Sequence, residues 1–142
     1  MKNEHRQWSL DRRAVISLLG DYHIQPTQQR IDIAQIMFRC PQHLSADQVL
    51  SAVNQSRPSV SKATVYNTLG LFADKGLVRQ VIVDPSRVFY DSNTSEHHHI
   101  YNIDSGTLTD VETDQLTVSG VPPLPEGMVT EGIDVIIRVR ST

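Results

Sequence analysis

The chain has 142 residues, 39% hydrophobic and 20% charged, with a formal net charge of −3 and a single cysteine. That length supports one mid-sized domain or two small ones. Lone Cys40 excludes an internal disulfide and a four-cysteine zinc site, so any metal is left to His, Asp or Glu.

No apolar run approaches a bilayer span, and Met1 to Gln7 carries no apolar segment, which predicts a cytoplasmic protein with no membrane partner. The net charge hides an asymmetry. Residues 1–86 hold ten Lys/Arg against seven Asp/Glu, and residues 87–142 hold three against nine. A basic front and an acidic back predict two domains, 1–86 suited to nucleic acid and 87–142 to another task.

In chain order, Ser9 to Tyr22 predicts a leading helix. Pro26-Thr27 offers a cap before Gln28-Gln29-Arg30-Ile31, and Cys40-Pro41 stops that run after Phe38. Ser45-Ala46-Asp47-Gln48 is a capping box ahead of an apolar stripe of Val49, Leu50 and Val53. Another helix is expected from Ser61, after Arg57-Pro58, to about Lys75, with Gly76 as its stop. From Leu77 the period changes to that of strands: Leu77 to Val83 and Arg87 to Tyr90 flank the turn Asp84-Pro85-Ser86. Further strands are expected at 97–103, 107–112 and 132–140, the last with Ile133, Val135, Ile137 and Val139 on an inner face. Val121 to Gly127 is too proline-rich for a long helix. The fold class that results is α+β: an N-terminal winged-helix DNA-binding domain followed by a small α/β domain.

In a winged helix, the helix before the wing lies in the major groove. On Ser61 to Lys75, Val65, Leu69 and Phe72 share one side, and Ala63, Thr64, Asn67, Gly70 and Asp74 share the other. The small, polar side suits close approach to base edges, with Asn67 able to pair with adenine and Tyr66 able to touch a thymine methyl or a phosphate. Lys62, Arg30 and Arg57 are candidate phosphate contacts.

Glu96-His97-His98-His99 gathers three of the six histidines. The run is internal, so it is no expression tag, and imidazole beside carboxylate is the donor set of divalent metals. His97 and His99, two apart, point to one face of a strand, and His98 to the other. A turn at Asp104-Ser105 sets Asp110 across from His99, whereas a turn at Ser105-Gly106 substitutes Glu112. Asp91 precedes the run by a short polar link that can fold its carboxylate back toward the histidines.

Pro26-Thr27-Gln28-Gln29-Arg30, His43-Leu44-Ser45-Ala46-Asp47, Ala63-Thr64-Val65-Tyr66-Asn67-Thr68-Leu69, Lys75-Gly76-Leu77-Val78 and the histidine run resemble the ferric uptake regulator family over nearly the whole chain, and within it the iron response regulator branch most. The resemblance implies a homodimeric repressor or activator that binds a promoter operator in double-stranded DNA under control of Fe2+, Mn2+, Zn2+ or haem. It adds His43 to a metal set of Asp91, His97, His99 and Asp110, and makes His97, His98 and His99 candidate haem ligands. Three departures stand out. Asn102 and Ser105 occupy the positions of a zinc-binding cysteine pair, Asn67 and Gln25 stand where arginine and lysine are usual, and no histidine follows His99. Two other classes are open: a non-haem metalloenzyme, because two histidines and a carboxylate form a facial triad, and a metal-dependent protein-interaction module on a winged-helix scaffold.

Overall fold

The computed structural model describes residues 6–55 and 60–142, and its helices begin where the sequence supplies caps. Helix α1 (Arg12–Asp21) starts at Asp11, whose carboxylate accepts from Ala14 N–H at 2.8 Å. Helix α2 (Gln28–Met37) starts at Thr27, which accepts from Arg30 N–H at 3.2 Å. Strand β1 is only His43–Leu44. Helix α3 (Ala46–Val53) carries the full capping box: Gln48 N–H donates to Ser45 Oγ at 3.2 Å, and Ser45 N–H to Gln48 Oε1 at 2.8 Å. Each such pair satisfies two backbone donors that the helix geometry orphans. Helix α4 (Lys62–Asp74) is capped by Ser61 and closes before Gly76, whose φ of 80° disfavours any other residue.

Strands β2 (Arg79–Asp84) and β3 (Arg87–Asp91) form an antiparallel hairpin, and β1 adds to its other edge, giving the order β1-β3-β2. The hairpin turn is held by Asp84, which accepts from the Ser86 hydroxyl and N–H, each at 2.8 Å, and these bonds hold its carboxyl below the usual aspartate range. Leu19, Ile31, Met37, Phe38, Leu69 and Phe72 close the core between the helices. This is the winged-helix unit, which ends at Ser95, with a second compact unit from Glu96 to Thr142. The division expected after Ser86 instead cuts the β2–β3 hairpin. Charge marks surfaces, whereas a hydrogen-bonded ladder marks which strands fold together, and β3 is laddered to β2.

In the second unit β4 (His98–Asn102) pairs antiparallel with β5 (Thr107–Val111) and parallel with β6 (Ile136–Val139), in the order β5-β4-β6. The β4–β5 loop is fixed by Asn102, whose side-chain oxygen accepts from Asp104 N–H at 2.9 Å and Ser105 N–H at 3.1 Å. Asp104 in turn accepts from Ser141 N–H at 2.7 Å, which ties the end of the chain to this loop. Strand β6 is shorter than expected, and its supposed inner face is open: Ile133, Ile137 and Val139 are 42%, 36% and 37% exposed. The unit contains no helix to cover them. Among the described residues no helix is long and apolar enough to cross a membrane.

The core and the caps predict different costs. Phe72→Ala, which empties a fully buried site, is expected to destabilise the first unit by about 3–5 kcal/mol, and Ser45→Ala by about 1 kcal/mol. Urea unfolding followed by emission of Trp8, which stacks on Phe38 with ring centroids 6.3 Å apart, checks both.

Candidate metal centre and nucleic-acid interface

Each unit holds a pairing of imidazole and carboxylate set by strand register. In the first, His43 lies directly opposite Asp91 in the β1–β3 pair, and directly opposed residues of antiparallel strands project to the same face. Asp91 is buried, and one of its oxygens accepts from Asn93 N–H at 2.9 Å. Asn93 in turn accepts from Ser95 N–H at 3.1 Å and its hydroxyl at 2.6 Å. The polar link after Asp91 is thus a run of side-chain-capped turns.

In the second unit the register places Asp110 opposite His99, not Glu112. His97 Nε2 and His99 Nε2 lie 3.4 and 3.5 Å from Asp110 Oδ1, with the two rings edge to face at 4.5 Å. Donor atoms about 2.1 Å from one tetrahedral ion are about 3.4 Å apart, and each imidazole nitrogen stands at about that distance from the Asp110 oxygen. Both histidines are almost wholly buried, at 2% and 1% exposure, while the Asp110 side chain is 39% exposed. The donor set fits a borderline or hard divalent ion and lacks any thiolate.

His98 faces the other way. Its Nδ1 accepts from Val135 N–H at 3.1 Å, tying β4 to the segment before β6, and its ring lines an open cavity of about 250 Å³ with Glu96 and Glu131. Glu96 and Glu131 give that cavity a negative lining, while His97 and His99 face Asp110.

The residues expected to read DNA lie on the exposed side of α4. Lys62, Tyr66 and Asn67 are exposed there and Thr64 is half-buried, its hydroxyl 2.9 Å from that of Ser61. Arg30 is half-buried and donates to Gln25 O at 2.9 Å, leaving other guanidinium N–H groups for a phosphate. Arg57 lies outside the described residues. Sequence reasoning missed Asp47: it lies 3.9 Å from Lys62 Nζ and accepts from Tyr66 O–H at 3.4 Å, while Lys62 sits over the Tyr66 ring at 5.7 Å. Nothing local in the sequence signals that contact, which joins the first turn of α3 to the first turns of α4.

Comparison with known proteins places this geometry. The model of the ferric uptake regulator family matches residues 22–121. A peroxide-responsive repressor PerR of Staphylococcus aureus (strain Mu50 / ATCC 700699) is 33% identical over 101 residues, covering 71% of this chain and 68% of the relative. Among solved structures, the ferric uptake regulator from Pseudomonas aeruginosa with manganese aligns at a TM-score of 0.67 with 23% identity, covering 88% of this chain and 96% of that one. The one from Francisella tularensis with iron aligns at 0.68 with 21% identity, covering 83% and 92%. A family model spanning most of the chain and a relative of that identity leave neither the metalloenzyme nor the protein-interaction-module reading standing: the chain belongs to the ferric uptake regulator family of metal-responsive transcriptional regulators.

Proposed function

We propose that one divalent cation is bound jointly by His43 and Asp91 from the winged-helix unit and by His97, His99 and Asp110 from the sheet unit. Its occupancy then sets how firmly a homodimer holds promoter DNA in the cytoplasm. The observation that carries this reading is the convergence of two buried imidazoles on Asp110 Oδ1 at 3.4 and 3.5 Å. Two carboxylates and three neutral imidazoles balance the charge of a divalent ion, and Fe2+, Mn2+ and Zn2+ all accept that donor set. Relatives solved with manganese and with iron accord with it. The comparisons support the family and single out no branch within it, and nothing in the geometry favours haem.

An ion bridging two units converts its binding free energy into a preference for one arrangement of reading heads, which is the physical content of metal-dependent DNA binding. The open apolar side of β6, with Ile133, Ile137 and Val139, supplies a surface for a second copy of the chain. In the duplex, Asn67 and Thr64 read base edges, and Lys62, Arg30 and Arg57 neutralise phosphates.

Removing either buried imidazole tests the centre. His97→Ala and His99→Ala are each expected to weaken Mn2+ binding by more than about 100-fold, above the loss typical of an outer partner, as read by calorimetric titration. Unchanged affinity in both variants would overturn the assignment. The reading helix is tested separately by fluorescence anisotropy on labelled promoter duplexes. Asn67→Ala is expected to cost about 1–3 kcal/mol at one base pair and little elsewhere. Lys62→Ala is expected to weaken all duplexes alike and lower the salt slope by about one. Equal losses across all sequences for Asn67→Ala would reduce that residue to a positioning role.

A further inference from the structure

Strand β1 is two residues long, and so short a pairing cannot by itself hold His43 at a fixed distance from Asp91. Ser92, the residue after Asp91, does what the strand cannot. It is wholly buried. Its N–H donates to Gln42 O at 3.0 Å, which continues the His43–Asp91 register by one step. Its hydroxyl accepts from Gln42 N–H at 3.1 Å and lies 3.2 Å from both Cys40 O and Gln42 O, either of which takes its single proton. The residue before His43 and the residue after Asp91 are therefore bonded through backbone and side chain at once. Gln42 is itself anchored, its amide donating to Ile36 O at 2.8 Å near the end of α2.

Behind Ser92 stands Arg6. One guanidinium nitrogen donates to both Ser92 O and Leu77 O at 2.9 Å, and another donates to the Tyr22 hydroxyl at 2.9 Å. The guanidinium also lies over the Phe38 ring at 5.1 Å. A planar cation bonded at two nitrogens and stacked on an aromatic face is fixed in orientation as a lysine would not be. Carbonyl oxygens of α4's exit and of the metal half-site thus converge on one side chain from the N-terminal segment.

We propose that Ser92, braced by Arg6, is the positioning residue of the winged-helix half of the metal centre: it sets His43 and Asp91 at their mutual distance before the cation arrives. This rests on the metal reading above, since a latch on His43 and Asp91 has a role in sensing only if those two side chains take the ion. Neither residue touches the ion. Their effect is on the entropy of assembling the donors, the same route by which partners outside the ligand shell tune metal affinity.

The test uses the full chain and Mn2+ alone. Ser92→Ala is expected to weaken Mn2+ binding by about 10–100-fold, with helical circular dichroism and Trp8 emission retained at the assay temperature, and Arg6→Ala is expected to weaken it in the same direction by less. A merely structural role is separated by a double-mutant cycle with His43→Ala: once the imidazole is gone, Ser92→Ala should add no further loss of affinity. If Ser92→Ala does not fold, the Arg6→Ala arm and its own cycle with His43→Ala decide. A loss that stays fully additive to that of His43→Ala overturns the latch, as does unchanged affinity in the Ser92 and Arg6 variants while His43→Ala alone weakens binding. Unchanged affinity in His43→Ala overturns the joint metal site and the latch with it.

Discussion

A cation accepts only donors that converge, and the candidate donors here are paired by strand register. The same device appears in both units: a histidine directly opposite an aspartate on antiparallel neighbours, His43 with Asp91 and His99 with Asp110. Opposed residues share a face, and a slip of one residue turns every side chain to the other. Everything that fixes register therefore fixes the candidate donors. In the second sheet this is the Asn102-held loop between β4 and β5; in the first it is the bonding of Ser92 to Gln42.

The helices were legible because their signals are local. Thr27, Ser45 and Ser61 each cap the helix that follows, and the Ser45–Gln48 box forms in full. The buried side of α4 followed from 3.6-residue spacing, and Val65, Leu69 and Phe72 are all fully buried. In the sensing half, two-residue spacing placed His97 and His99 together, and the choice between Asp110 and Glu112 reduced to one loop register. What was not legible depends on distant partners. Strand β1 has no period of its own and exists because β3 pairs with it. The unit boundary followed the ladder and not the charge. Strand β6 carries the alternation of a buried strand, yet in one chain its apolar side faces outward, because alternation reports that a face is to be covered without saying by what.

The reading face carries its own negative charge in Asp47, which engages Lys62 and Tyr66. The pair is weak: Lys62 and Asp47 side chains are 67% and 69% exposed, and such pairs contribute about 0–1 kcal/mol and are screened by salt. On the proposed function, a phosphate would displace that carboxylate easily, so the contact leaves the side chains at the N-terminus of α4 available. It also sharpens the roles on this face. On the proposed function, Lys62 would exchange one anion for another and supply affinity, whereas Asn67, which takes no part in that exchange, would be left to discriminate between bases.

The two positions where the family resemblance places a cysteine pair show how the second sheet is held without a metal staple. Asn102 accepts from two backbone N–H groups of the loop, and Ser105 Oγ lies 2.7 Å from Thr107 Oγ1. Hydrogen bonds within four residues thus close the hairpin that a thiolate-bound ion would otherwise clamp. One cysteine, exposed at Cys40, leaves no second thiolate partner anywhere in the chain. On the proposed function, the fold of the sheet would in consequence be separate from the loading of the sensor. Where a structural ion and a sensory ion share one small domain, loss of metal mixes unfolding with signalling. Here the β4–β5 register that sets Asp110 opposite His99 is maintained by the backbone and two polar side chains, so the placement of these side chains rests on the sheet's own hydrogen bonds.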